Sequence, residues 1–192
     1  MLIDLNQPDT AKIALGNYKH TRSSIPPLNP SSGDTFEEVT PAGEWIQNWF
    51  WNQTLNRWLS LQSYKMQVSD FSINSNATRT LDGHSVIVDS DLYFIKTMQT
   101  YYPVGGGSGL NSTNYWNFSI RYISNTEETP FITIQTPPSP DFIQQKITTS
   151  INTLLITSEA NNLFYRFAFA PTGSPSNLIN VVASAIYRLA RK

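Results

Sequence analysis

Near the C-terminus, Val181, Ala183, Ala185, Tyr187 and Leu189 alternate with Val182, Ser184, Ile186 and Arg188. A period of two sends neighbouring side chains to opposite faces of an extended chain, whereas a helix groups them at three- and four-residue spacing. The segment is therefore a strand with one inward face, and the pattern recurs upstream. Tyr64, Met66 and Val68 alternate with Lys65, Gln67 and Ser69. Trp116, Phe118, Ile120 and Tyr122 alternate with Asn117, Ser119 and Arg121, and Leu163, Tyr165, Phe167 and Phe169 share a face. Leu92 to Tyr102 reads as a long half-buried strand, and Ser85 to Val88 as a short one after an Asp82-Gly83 turn. Phe131 to Gln135 is its neighbour's partner across the loop from Asn125 to Pro130, pairing with the strand over Tyr115 to Ser124. Several strands joined by polar loops predict an all-β fold, with residues 64–192 as a β-sandwich of jelly-roll type. One or two helical turns are expected over Phe142 to Lys146, where Ser139-Pro140-Asp141 places proline at a tolerated first-turn position.

Residues 1–32 read as an extended N-terminal arm. Ser23 to Ser32 (SSIPPLNPSS) holds three prolines and no period, so it is extended and poor in backbone hydrogen bonds. Asp9 is placed to cap a short helix over Thr10 to Leu15, with Gly16 as its stop, and such a helix is too short to stand alone. Leu2, Ile3, Leu5, Ile13 and Leu15 are apolar and need cover, which makes the arm a docking segment. Residues 33–63 read as a small antiparallel hairpin module. Thr35 to Val39 alternates, Thr40 to Gly43 turns, Trp45 to Trp51 (WIQNWFW) is a strand, Asn52 to Asn56 turns again, and Arg57 to Gln62 returns.

Composition narrows the function classes. Charged residues are 14% of the chain against an ordinary value of about 25%, so Ser, Thr, Asn and Gln carry the polar surface. The formal net charge of −1 gives no broad attraction to nucleic acid or anionic lipid. The chain has no cysteine, which excludes disulfides, thiolate metal sites and cysteine nucleophiles. Met1 to Asp9 has no signal-peptide pattern, and no apolar run reaches the roughly 18 residues of a membrane helix. The expectation is a protein that is not inserted in a membrane and not exported by the usual route. The basic end, Arg188 to Lys192, reads as a solvated terminus.

No residue pattern supports catalysis, and no metal site or cofactor is expected. His20 lies in the arm, and His84 follows the Asp82-Gly83 turn beside ordinary turn residues. Glu37 and Glu38 are neighbours on a strand and point to opposite faces, so they cannot face each other across a cleft as glycosidase carboxylates do. Glu127-Glu128 reads as a solvated pair in a hairpin loop. Gly105 to Gly109 has no following Lys-Ser/Thr and no helix start, so it is a flexible loop tip and not a phosphate cradle. The Asn-X-Ser/Thr triplets at Asn52, Asn76, Asn111 and Asn117 reflect an Asn- and Thr-rich surface.

The aromatic ribbon Trp45, Trp49, Phe50, Trp51 and Trp58 is the most informative feature. Exposed rings of this kind stack on sugars, while buried ones form a small module's own core or a subunit contact. Alternation puts Trp49 and Trp51 on one face and Phe50 on the other. Trp45, Trp49, Trp51 and Trp58, with Tyr101, Tyr102 and Tyr115, are the candidates for contact with a sister subunit or a glycan.

The segment IPPLNPSSGDTFEEVTPAGEWIQNWFWNQTLNRWLSLQ, residues 25–62, resembles a short unit of bacteriophage and cyanophage tail-fibre or adhesin proteins. The likeness is carried by Pro26, Pro27, Pro30, Gly33, Asp34, Trp49, Phe50, Trp51, Trp58, Leu59 and Ser60. The ending SAIYRLARK looks like the β-rich tip domain that follows this unit. The resemblance covers about a fifth of the chain, and coiled-coil heptads and β-helix repeats are missing from the sequence. It implies a homotrimeric virion component, assembled in the host cytoplasm, whose arm docks on tail, neck or capsid proteins and whose body faces host polysaccharide. A free carbohydrate-binding module and a polysaccharide depolymerase are the alternatives. A lectin would lose glycan binding on Trp→Ala substitution with its assembly state unchanged, and a depolymerase needs an acid–base pair that the residues do not supply.

Overall fold

The structure is a computed structural model that describes residues 18–85, 91–105, 107–123, 128–155 and 164–192. The alternating segments are strands. In chain order they are β1 (His20–Ser23), β2 (Thr35–Val39), β3 (Trp45–Asn52), β4 (Arg57–Ser60), β5 (Tyr64–Ile73), β6 (Arg79–Ser85), β7 (Asp91–Val104), β8 (Tyr115–Ile123), β9 (Glu128–Gln135), β10 (Gln145–Leu155), β11 (Phe164–Thr172) and β12 (Asn177–Arg191). No helix occurs among the described residues.

The last eight strands pair in nested order. β8 pairs β9, β7 pairs β10, β6 pairs β11 and β5 pairs β12, all antiparallel. One long hairpin is thereby rolled up, and two more ladders, β12 with β7 and β11 with β8, close it. The resulting sheet orders, β5-β12-β7-β10 and β6-β11-β8-β9, are those of a jelly roll.

The inward faces are the ones that alternation selects. Val181, Ala183, Ala185 and Tyr187 of β12 and Met66 and Val68 of β5 are buried against Trp116, Phe118 and Ile120 of β8 and Tyr165, Phe167 and Phe169 of β11. Aromatic bulk on the smaller sheet faces Ala183 and Ala185 on the larger one, so large and small side chains interlock. Phe118 packs tilted on Phe167 and Phe169 with centroids 5.8 and 5.2 Å apart, a geometry that suits aromatic quadrupoles.

The tryptophan-rich meander extends the same sheet. β2, β3 and β4 pair antiparallel in sequence, and Leu59↔Ala190 and Trp58↔Arg191 join β4 to the end of β12. β4 and β5 therefore share one edge of β12, one after the other, giving an eight-stranded sheet. Outermost is β1, parallel to β2. Part of the expected arm is thus ladder-bonded, and Tyr18 packs so closely on Gly33 that a Cβ there would meet its ring at 2.3 Å.

Several sequence expectations are corrected. No helix forms over Phe142 to Lys146: residues 141–143 turn, with Phe142 at a φ of 63° donating its N–H to the Pro103 carbonyl, and β10 begins at Gln145. Residues leaving Pro140 are captured by the neighbouring strand end before a helical turn closes. Asp82-Gly83 is not a turn but lies inside β6, at an irregularity where Phe164↔Ser85 and Arg166↔Asp82 leave one extra residue on β6. Residues 86–88 of the expected Ser85–Val88 strand lie outside the described residues. So do Leu2, Ile3, Leu5, Ile13 and Leu15 of the arm, together with its expected helix.

Candidate functional site

The end of β12 is where the meander and the jelly roll meet, and two of the basic residues there, Arg188 and Arg191, are packed on the protein while Lys192 is exposed. Arg188 donates to the carbonyls of Ser60 and Leu61 and stands 5.4 Å above the Phe50 ring. Burial pulls the Arg188 guanidinium below its ordinary pKa. Arg191 pairs with Glu38 and lies 5.5 Å over Trp49. Trp49 is held from three sides, because Phe36 stacks on it at 6.1 Å and 10° and its indole N–H donates to Glu38 at 2.8 Å.

A β-bulge shapes the neighbouring surface. Glu38 pairs with Gln47 but Val39 pairs with Trp45, so Ile46 is an extra residue on β3. Such a bulge turns two successive side chains toward one face. Ile46 and Gln47 accordingly both line an open groove with Trp49, whereas Trp45 is sent to the other face, where its indole N–H reaches Asn48 at 3.5 Å.

This groove has a volume of ≈ 660 Å³ and is lined by Glu38, Ile46, Gln47, Trp49, Tyr64, Leu189, Arg191 and Lys192. Tyr64 stacks on Tyr187 at 5.7 Å and its hydroxyl donates to the Gln47 amide oxygen at 3.4 Å. The lining thus combines an amide, a phenol, a carboxylate, two cations and the apolar bodies of Ile46 and Leu189. Those groups suit a ligand rich in hydroxyls.

A second ordered surface closes one end of the sandwich. The loops after β7, β9 and β11 and the start of β12 are hydrogen-bonded together. Ser108 donates to the Ser174 carbonyl at 2.7 Å, Ser139 to that of Leu110 at 3.1 Å, and the Trp116 indole to that of Ser176 at 2.9 Å. The Asn111 carboxamide oxygen accepts from the N–H groups of Thr113 and Asn114, both at 2.9 Å. Within the expected glycine loop, Gly107 is closely packed: a Cβ on it would lie 2.1 Å from the Pro175 carbonyl oxygen.

The aromatic residues singled out from sequence part company here. Trp49, Trp51, Trp58 and Tyr101 are buried among the chain's own atoms, Trp51 and Trp58 packing edge to face at 5.4 Å. Burial pushes the Tyr101 phenol up. Tyr102 and Tyr115 are half-buried on β7 and β8. Trp45 alone of the five tryptophans is exposed, at 56%. Phe50 is buried on the opposite face with Leu59 and Ala190, so both faces of the WFW strand are covered.

The charged candidates also disperse. His20 sits on β1 with its ring nitrogen 3.0 Å from the Thr35 hydroxyl. Glu37 pairs with Arg22 at 3.4 Å. Glu128 is not in a loop but opens β9, where Arg121 and Arg166 both reach it at 3.2 Å. Among the described residues no cluster of three or more His, Asp or Glu side chains is placed to hold a metal ion. No helix there is long and apolar enough to cross a membrane. Sequence reading missed the groove because its members come from four strands, and only the β4–β12 pairing and the bulge bring them together.

No family model matches the sequence, and no curated protein does. Among solved structures, the chain is similar to FLHE at a TM-score of 0.35 and 10% identity, over 67% of this chain and 96% of that one. It is similar to a chain of the infectious bursal disease virus Gx strain at a TM-score of 0.41 and 13% identity, over 87% of this chain. This chain spans 40% of the length of that viral chain. A chain of the empty virus-like particle of cowpea mosaic virus matches at a TM-score of 0.29 and 8% identity, over 67% of this chain and 82% of that one.

Proposed function

We propose that this chain is a non-enzymatic structural component of a virus particle, a short fibre- or adhesin-like subunit that docks through its N-terminal arm and assembles as a homotrimer. The observation that carries the reading is the position of β1. Among the described residues this four-residue strand is the outer edge of the larger sheet, and the described chain begins beside it at Tyr18. An edge strand offers unpaired N–H and C=O groups to a neighbour. The jelly roll supplies a rigid body and its loop-bound end an ordered outer surface.

Light scattering on the purified chain tests the assembly. The expected mass is three times the 21.7 kDa of one chain. Deleting residues 1–17 is expected to leave the body folded and abolish its incorporation into particles. A full-length chain that stays monomeric and incorporates equally well without the arm overturns the proposal. A free carbohydrate-binding module is the second reading, favoured by the polar groove beside Tyr64.

A further inference from the structure

We propose that the outer edge of β10 is an interface with a second copy of this chain, the two β10 strands pairing antiparallel about a two-fold axis at Thr148. The contact goes beyond the arm-mediated assembly proposed above and uses the rim of the larger sheet opposite β1.

The sheet edges are not equally protected. Among the described residues, β1, β10 and the outer side of β5 bound the larger sheet, and β6 and β9 bound the smaller one. β1 is only four residues long. β5 carries Lys65 and Asp70, and Arg79 of β6 reaches across to Asp70 at 2.7 Å. β6 carries Arg79 and Asp82 and is irregular opposite Phe164 to Arg166. β9 carries Pro130 beside an irregularity of its own. Short length, charge, proline and bulges are the devices that keep an edge from recruiting another strand. β10 is eleven residues long, has Lys146 as its one charged residue and holds no proline. Its irregularity lies between Ser150 and Thr153, so Gln145 to Ser150 forms a regular ladder with β7 and presents a straight outer rim.

Side chains along that rim are left part-covered. Ile147, Thr148, Thr149 and Ile151 are β-branched, the type that packs well on neighbours across a pleated sheet. Ile147 packs on the jelly-roll core yet stays half-buried, while Lys146, Thr148 and Ser150 are exposed on the other face. A further strand alongside covers the open flank of Ile147 and pairs the outward N–H and C=O groups at the same time.

Self-complementarity selects the occupant. About an axis at Thr148, Lys146 lies opposite the second copy's Ser150, Ile147 opposite its Thr149, and Thr148 opposite its Thr148. Residues 146–150 thus set β-branched side chains against β-branched ones and hydroxyls against a hydroxyl or an ammonium, pairs that favour a ladder. The two lysines are four positions out of register, about 13 Å apart along the strands, beyond the roughly 8 Å screening length of physiological salt. A parallel pairing in register sets the lysines side by side, so charge selects the antiparallel one. A two-fold contact uses the same patch on both copies, so the edge is sealed once it forms.

The chain has no cysteine, so single-cysteine variants report only on contacts between copies. In the pairing, opposite Cβ atoms lie about 5 Å apart, close to disulfide spacing. Under mild oxidation of the full chain, Thr148→Cys is expected to cross-link to itself about tenfold faster or more than Thr133→Cys on exposed β9, because paired residues meet at a raised effective concentration. A mixture of Lys146→Cys and Ser150→Cys is expected to form the mixed disulfide faster than either variant links to itself. Thr148→Lys puts like charges on the axis. In ultracentrifugation from micromolar to millimolar chain, the parent mass is expected to reach twice the mass that Thr148→Lys retains, with the two circular dichroism spectra alike. Equal cross-linking at residues 148 and 133, a mixed rate no higher than the self rates, or the same mass for parent and Thr148→Lys at every concentration overturns the interface. None of these outcomes depends on residues 1–17, so failure here is distinguishable from failure of the arm-mediated assembly.

Discussion

Arg191, the last residue of the final strand, pairs with Glu38 of the second strand and covers the ring of Trp49. Glu38 also accepts the Trp49 indole N–H, so a single carboxylate ties β2, β3 and β12 together. Both side chains are mostly buried, with 12% exposure for Glu38 and 30% for Arg191. Glu38→Gln and Arg191→Met are each expected to cost about 1–2 kcal/mol, as charge-assisted bonds do. A double-mutant cycle in urea is expected to return a coupling of at least ~0.5 kcal/mol, above that of many exposed pairs. A coupling of zero refutes the clamp.

Arg57 and Asp91 make a second joint between meander and jelly roll. Both residues are 8% exposed and their side chains approach to 3.6 Å. Removing one member of a buried pair leaves a charge in low dielectric. Arg57→Leu is therefore expected to destabilise by about 3–5 kcal/mol. Calorimetry is expected to show one lowered transition, because β4 and β12 share a sheet; two separated transitions argue that the meander unfolds by itself.

The tryptophans divide by burial. Trp58 is 1% exposed and contacts Phe36 and Trp51. Its replacement by alanine is expected to cost about 3–5 kcal/mol. Trp45 is 56% exposed, and Trp45→Ala is expected to change stability by no more than about 0.5 kcal/mol. Chemical denaturation of the two variants separates these outcomes, and similar losses would contradict the bulge that re-aims Trp45.

Gly105 and Gly107 are two residues apart and should respond oppositely. A Cβ on Gly105 meets nothing within 4 Å, whereas one on Gly107 lands 2.1 Å from backbone at Pro175. Gly107→Ala is expected to cost about 1–3 kcal/mol through forced backbone movement, and Gly105→Ala to be close to neutral. Midpoints of thermal unfolding check this, with loss of order across 107–114 and 173–176 visible in amide spectra.

Acid stability has a defined contributor. Partial burial pushes the Asp70 carboxyl up, but the Arg79 side chain at 2.7 Å and the N–H groups of Ser72 and Phe71 outweigh it and hold the group below its ordinary 3.8. The folded state therefore favours the ionised form. Its contribution is complete well above pH 3.8 and is lost as pH falls through the lowered folded value. Asp70→Asn is expected to be less stable than the parent at neutral pH, with the gap closing in acid. Urea midpoints measured across that range check the sign, and a gap that widens in acid contradicts it.

Strand identity and inward faces were readable because alternation is a local property. The 181–189 run, the 116–120 run and the 165–169 run each exposed their core side in the order of residues alone, and the WFW segment declared itself a strand in the same way. Three particulars were not local. Phe142 to Lys146 carries a helix-start pattern, yet a hydrogen bond to Pro103, remote in sequence, turns it into a strand entry. Asp82-Gly83 carries a turn pattern, yet pairing with β11 absorbs it as a bulge. The basic end looked solvent-bound, because nothing near it in sequence shows that β4 lies alongside.

The residue order by itself determined that this chain is all-β, low in charge and built around aromatic strands, since periodicity and composition act within a few residues. Tertiary structure decided that the strands nest as a jelly roll, that four tryptophans are spent on the protein's own packing, and that Glu38, Gln47, Tyr64 and Arg191 meet around one groove. Hydrogen-bonded ladders between distant segments choose partners by the fit of whole faces, and that fit exists only once the sheets have formed.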